Sequence, residues 1–353
     1  MLFVTGCRSS QHQSDAEKLS ASPIDGENTT EEDESDFFPT ELVLPPPNAN
    51  LPVTFFREIW AYLVTGREQG LNLNYPVSDL VYFGAEVDSY GKLTDVPNFR
   101  RISAFRGRKH LVAACSSRSL THFVLMEGSQ ERRDLIRDLL SEAQPYDGLQ
   151  IDFEYIPARD GNAFLSFLSE LRLGLGNKML SVALPARTKT SNEDVYDYAK
   201  IMPLVDRILV MAYDEAWSGS APGPIASMGW CQRVAQYSLS IIGAEKLVMG
   251  LPFYGRSWGS ENVSRAYIYS TIDEIIKEQK INEIKRDNGI PNFKYEKTLQ
   301  VTVFYEDAYS LSARLEMYKK MGVSAVGFWR LGQETLDIWP HIMLEKAAVS
   351  SIK

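Results

Sequence analysis

Nine consecutive residues carry the densest chemistry in this 353-residue chain: Asp147-Gly148-Leu149-Gln150-Ile151-Asp152-Phe153-Glu154-Tyr155. A β-strand alternates its side chains between two faces. Gln150, Asp152 and Glu154 therefore share one face, and Leu149, Ile151, Phe153 and Tyr155 share the other. Three polar side chains in a row on an inward face are costly unless they are used. The alternative is a solvated edge strand with surface acids, and the unbroken apolar face argues against it. Successive positions on one face lie roughly 6.6 Å apart along a strand. Asp152 can then turn toward Glu154 and hydrogen-bond it or a bound substrate. A second negative charge this close raises the cost of ionising Glu154. A carboxyl kept protonated is ready to donate to a leaving oxygen.

Such a strand needs a frame that turns its polar face inward. From residue 55 onward, short apolar runs alternate with amphipathic helical stretches. The runs are Glu58–Val64, Leu80–Glu86, His110–Cys115, Gly148–Tyr155, Met179–Pro185, Arg207–Tyr213, Leu247–Phe253 and Ala325–Leu331. Helical patterns such as Ser129–Ala143, Ala163–Leu173 and Asp307–Met321 lie between them. Repeated βα units imply a parallel sheet. Eight of them predict an α/β fold, a (β/α)₈ TIM barrel over residues 53–345. An open doubly wound sheet is the alternative, but Tyr62–Arg67 does not form the glycine-rich loop that usually follows its first strand. Residues 259–304 break the rhythm with a helix (Thr271–Lys280) and β-like pieces (Tyr267–Tyr269, Leu299–Phe304). They read as a small α+β insertion between strands 7 and 8, at the barrel mouth.

Composition narrows the class. Hydrophobic residues make up 44% and charged residues 24%, as in a globular protein. The net charge is −9, and residues 1–52 hold ten acids against Arg8 and Lys18, so the acidity belongs to this segment. No basic patch points to nucleic acid. Residues 8–52 read as an acidic, Pro-rich, disordered linker, and residues 346–353 as a tail. Residues 1–7 read as a truncated lipoprotein signal, because Val4-Thr5-Gly6-Cys7 resembles a bacterial lipobox with Cys7 as the lipidated residue. An ordinary tail with one free thiol is the alternative. The lipobox reading implies export and a lipid anchor as the only membrane attachment. The odd set Cys7, Cys115 and Cys231 fits neither a disulfide framework nor a zinc site, and the four scattered histidines suggest no metal. No cofactor is expected, and the protein is expected to act as a monomer.

The motif Asp147–Glu154 resembles the Asp-Gly-x-x-x-Asp-x-Glu signature of glycoside hydrolase family 18, the chitinases and related N-acetylglucosaminidases. Met211-Ala212-Tyr213-Asp214, Leu251-Pro252-Phe253-Tyr254-Gly255-Arg256 and Gly327-Phe328-Trp329-Arg330-Leu331 are similar to that family's sixth-, seventh- and eighth-strand motifs. Pro222–Ser227 and Tyr305-Glu306-Asp307 resemble the bacterial branch of spore-cortex and peptidoglycan N-acetylglucosaminidases. The resemblance implies a glycan containing N-acetylglucosamine as substrate and a mechanism assisted by the substrate's own acetamide. It makes Glu154 the general acid and gives Asp152 and Tyr213 the acetamide to orient. It makes Trp329 the floor under the sugar, with room for the ring expected from the small neighbours Ala325 and Gly327. Asp214, Gln150, Met211, Tyr254 and Arg256 become candidate substrate-binding residues, and Tyr62 either joins them or belongs to the core. Two positions depart from the family pattern. Gln150 stands where a further acid is common, and the third strand lacks Ser-x-Gly-Gly, which counts against chitin as the substrate. A binding-only protein is the rival reading, and retention of Asp152, Glu154 and Tyr213 together argues against it. Trp217, Trp230 and Trp258 are open candidates for stacking on sugars. Glu215, Glu306 and Asp307 are either groove acids or solvated charges.

Overall fold

The computed structural model describes residues 46–191, 194–259, 264–296 and 300–346. Cys7 and most of the proposed linker lie outside the described residues. Eight parallel strands close into a barrel: β1 (Glu58–Val64), β2 (Asp79–Val87), β3 (Arg108–Cys115), β4 (Gly148–Phe153), β5 (Met179–Pro185), β6 (Arg207–Met211), β7 (Leu247–Pro252) and β8 (Ala325–Trp329). Each pairs with the next, and β8 pairs with β1 to close the ring. The register sets Val112 beside Gln150 and Gln150 beside Ser181.

The alternation in each strand builds two apolar layers. Outward residues such as Ile59, Ala61 and Leu63 of β1 join the large cluster under the helices. Helices α1 (Arg118–Leu125), α2 (Gln130–Glu142), α3 (Gly161–Leu175) and α4 (Met228–Ile242) turn their buried faces onto it. Each fully buried aliphatic or Phe side chain contributes about 1.5–3 kcal/mol. Inward residues Trp60, Tyr62, Val81, Val112, Ala183, Leu209, Val248 and Ala325 form a second cluster inside the ring. The N-terminal end of the barrel is sealed by charge. Arg207 Nε donates to Glu58 (3.0 Å), Arg108 Nε to Asp79 (2.6 Å), and His110, stacked on Trp60, contacts Asp79 at 2.8 Å.

Between β7 and β8 lies a five-stranded antiparallel sheet spanning Gly255–Phe304, with helix α5 (Tyr269–Glu278) packed on it through Ile272 against Phe293, Val303 and Tyr305. Trp258 is buried there with Ala216, Ile290 and Phe304, so it is core of this sheet and no sugar platform. The acids that follow are not groove acids either. Asp307 caps helix α6 (Ala308–Lys320), accepting from Ser310 N at 2.8 Å. Glu306 is buried against the fully buried Arg314, 2.9 Å away. Glu215 accepts from Ser227 N at 2.7 Å and ties down its own loop.

Candidate active site

The fourth strand ends at Phe153, but its ladder continues one residue further: Glu154 N donates to Cys115 O at 2.8 Å. Phe153 is anchored outward, stacked on Phe167 of α3 at 5.5 Å. Tyr155 then takes a left-handed conformation (φ 57), which turns the chain away from the barrel axis. Glu154 is thereby left half-buried at the C-terminal mouth, above Asp152 and Gln150.

Gln150 has no exposed surface. It accepts a hydrogen bond from the Tyr62 hydroxyl and donates to Ser181 Oγ at 3.2 Å. Both ends of its amide are engaged, so Gln150 supports the site from one layer below. Tyr62 belongs to the same interior layer, 2% exposed, with its ring 5.2 Å from that of Trp329. Phe83 meets Trp329 edge-on at 5.1 Å from the other side. Trp329 is thus a half-buried ring held at the mouth by two aromatic neighbours. The space expected over Ala325 and Gly327 does not exist. A Cβ on Gly327 would lie 2.7 Å from Leu209 Cδ1 and 3.3 Å from Val248 Cγ1. These small residues let neighbouring strands fill the barrel.

Tyr213 and Asp214 follow β6. Gly250 of β7 makes the place for Tyr213, because a Cβ there would stand 3.0 Å from Tyr213 Cε1. Asp214, left-handed with φ 58, accepts from the Tyr254 hydroxyl (2.5 Å) and from Arg256 Nη2 (2.9 Å). Tyr254 and Arg256, both buried, therefore hold Asp214 in place. Met211 is half-buried against the interior cluster, beneath Tyr213.

Asp152 is buried and its Oδ1 has no hydrogen-bond partner. Burial, and then the nearby Glu154, push its carboxyl up to about 8. Glu154 is also raised, first by burial and then by Asp214, with the Tyr155 hydrogen bond acting in the opposite direction. The charge that first opposes ionisation of Glu154 is therefore Asp214, where the strand spacing alone pointed to Asp152. Asp152 is the deeper of the two carboxyls, and its own ionisation is disfavoured as well. Burial, then Tyr62 and the carboxyls Asp152, Asp214 and Glu154, raise the Tyr213 phenol well above its ordinary value. The cluster offers two carboxyls with raised proton affinity and a phenolic donor around one half-buried indole.

Two residues of this site escaped the sequence reading. Tyr155 hydrogen-bonds Glu154, and its place directly after the acid was a usable signal. Tyr196 lies about forty residues away, and no spacing marks it. Its hydroxyl donates to Phe153 O at 3.0 Å and accepts from Ile156 N at 3.1 Å.

Residues 65–334 match the family described as Glycosyl hydrolases family 18. Among curated proteins, an uncharacterized glycosylase, YvbX, of Bacillus subtilis (strain 168) is 30% identical over 214 residues, covering 58% of this chain and 62% of the relative. The cortical fragment-lytic enzyme of Bacillus anthracis is 27% identical over 249 residues, covering 66% and 57%. The chain thus spans about 57–62% of the length of these two relatives. Among solved structures, the Bacillus cereus spore cortex-lytic enzyme SleL superposes with a TM-score of 0.73 at 22% identity, covering 85% of this chain and 77% of that one. This likeness supports the same barrel fold.

Proposed function

The chain belongs to glycosyl hydrolase family 18, and on that premise we propose that it hydrolyses β-linked N-acetylglucosamine glycans with Glu154 as general acid and base. The observation that carries the reading is the buried pair on β4: a half-buried acid with a raised proton affinity, backed by a deeper carboxyl at about 8 with one unpartnered oxygen. Two carboxyls flanking a glycosidic bond form the usual glycosidase arrangement, and enzymes assisted by their substrate are a known exception. Asp152 and Glu154 rise from one strand, so Asp152 is badly placed to attack from across the sugar. Asp214 is committed to Tyr254 and Arg256. The nucleophile is then the acetamide oxygen at C2 of the substrate.

In this mechanism Tyr213 donates a hydrogen bond to the acetamide oxygen and holds it below the anomeric carbon. Glu154 gives its proton to the glycosidic oxygen as the bond to the leaving sugar breaks. The acetamide oxygen bonds to the anomeric carbon, and the positive charge spreads over the oxazolinium ring. Asp152 faces the ring N–H. It can share its proton with the newly ionised Glu154 and so place negative charge against the ring. Water then attacks the anomeric carbon, Glu154 takes its proton, and the product keeps the β configuration. Trp329 forms the apolar floor under the reacting sugar. The cortical fragment-lytic and SleL relatives favour a cell-wall glycan as the natural substrate, and we extend the proposal to an exported protein anchored through Cys7.

Glu154→Gln tests the assignment. General acid catalysis is worth roughly 10²–10⁴-fold, and the variant is expected to lose at least that much hydrolysis of β-linked N-acetylglucosamine oligomers while melting like the wild type. Proton NMR of the first wild-type product is expected to show the β anomer. A variant keeping more than about a tenth of the rate removes Glu154 from its role. An α anomer appearing first removes the acetamide mechanism.

A further inference from the structure

Beyond the C-terminal end of β5 a cavity of about 460 Å³ opens, lined by Arg187, Thr188, Lys189, Ser191, Asp194 and Trp230. Small-ligand sites span roughly 300–1,000 Å³. The cavity lies beside the carboxyl cluster, and Tyr196 joins the two. The Tyr196 hydroxyl holds Phe153 O and Ile156 N, the backbone on either side of Glu154. The Arg187 guanidinium stands 5.9 Å from the centre of the same ring.

The two cations of the cavity are not equivalent. Arg187 is spent: its Nε and Nη2 meet Asp194 at 2.6 and 3.0 Å, and its Nη1 donates to Ala186 O at 3.1 Å. That pair fixes the rim and contributes no net charge. Lys189 is exposed and pairs with no carboxylate among the described residues. Trp230, near the start of α4, packs partly on the core and also lines the cavity. A half-buried indole offers an apolar face to sugar C–H groups, and hydroxyls such as Thr188 and Ser191 suit sugar hydroxyls. A neutral glycan would use all of these and leave Lys189 without work. An ammonium at such a place selects an anionic group, and on a glycan the common one is a carboxylate.

Resting on the hydrolase reading above, we propose that this cavity is a subsite for a carboxylate-bearing glycan unit, stacked on Trp230 with its carboxylate toward Lys189. The carboxylate can belong to the sugar's own ether substituent or to a peptide attached through it.

Calorimetry on the full chain carrying Glu154→Gln tests this with three ligands. The first is a β-linked N-acetylglucosamine oligomer whose alternate sugars carry a lactyl ether carboxylate. The second is its methyl ester. The third carries a short peptide amide-linked to the same lactyl group. The acid is expected to bind about fivefold tighter than the ester at low salt, the size of an exposed ion pair. The advantage should shrink as salt screens it. Adding Lys189→Glu should abolish or reverse the preference with no change in melting temperature. A peptide-linked oligomer that keeps the advantage assigns the carboxylate to the peptide, and one that loses it assigns it to the sugar. Either supports the subsite. Equal binding of acid and ester, or a preference that survives Lys189→Glu, overturns it. Hydrolysis of the three ligands by the wild type is scored separately: no cleavage would sink the hydrolase reading and leave a measured acid preference standing.

Discussion

Asp152 pairs nearly full burial with an unpartnered oxygen, and this gives the site a pH signature that reaches beyond catalysis. Its ordinary value is 3.8, and the folded chain raises it to about 8 through burial and then through Glu154. Between those values the folded chain holds a proton that the unfolded chain has released. Stability therefore falls as pH rises through this window. The contribution is whole below about 3.8 and is lost as pH passes about 8. Asp152→Asn has no proton to lose. Urea unfolding at pH 5 and pH 8 should show the wild type losing stability relative to the variant as pH rises. Parallel pH dependences would mean that Asp152 is ionised in the folded chain throughout. Glu154 shifts in the same direction, so the comparison must be with the variant and not with a theoretical flat line. Turnover should fall on the alkaline side for a related reason, as the coupled pair gives up the proton that the leaving oxygen needs.

Among the elements, the eight strands were legible because each is a run of apolar and inward residues bounded by polar turns; two observed spans equal the expected ones, and the others differ by one or two residues at an end. The shared inward face of Gln150, Asp152 and Glu154 was expected from strand parity, whereas Tyr213 was expected only from the resemblance of Met211–Asp214 to a family motif. What was not legible is pairing over long sequence separation. Arg207 meets Glu58 across 149 positions and Tyr62 meets Gln150 across 88. A local pattern carries no signal for either. The smallness of Gly327 was visible but its use was not, since only the closed ring shows that Leu209 claims the space. Glu306 shows the same limit. It lies just ahead of α6 and looks like a surface acid, yet it sits buried against Arg314, whose Nη2 also donates to Ala226 O at 2.6 Å. This pair ties the loop after β6 to α6. Removing one member leaves a buried charge alone. Glu306→Ala should destabilise by about 3–5 kcal/mol in chemical denaturation. Pairing Glu306→Met with Arg314→Leu should recover most of that loss, because the desolvation penalty disappears with both charges. If Glu306→Ala melts like the wild type, the pair contributes nothing to the fold.

For the whole molecule, the barrel keeps an ion-pair network and the proposed catalytic residues at opposite ends. The C-terminal mouth holds Glu154, Tyr213 and Trp329. The opposite end holds the Glu58, Asp79, Arg108, His110 and Arg207 network and a short parallel pair, Thr54–Phe56 with Ile342–Leu344. That pair is reinforced by Glu345 N donating to Phe56 O at 2.8 Å, and Phe56 itself is fully buried. Ahead of it, Asn48 N donates to His341 Nε2 at 3.2 Å and Leu51 N to Asn48 O at 3.0 Å. The folded part therefore begins several residues before the boundary at 53 that composition indicated. Residues 8–45 are acidic and poor in aliphatics, a composition that offers little to a core. A chain starting at Pro46 should keep the wild-type melting temperature within about 2 °C and the same kcat and KM. A chain starting at Arg57 loses the Phe56 side chain and the pairing with Ile342–Leu344. Burial of a Phe alone is worth about 1.5–3 kcal/mol, so this shorter chain should melt several degrees lower. Its KM should stay near the wild-type value, since the lost strand lies at the far end of the barrel from Glu154. A shortened chain from Pro46 that fails to melt cooperatively would mean that the barrel depends on the segment before it. A chain from Arg57 whose KM rises sharply would mean that the two ends are coupled through the interior layers.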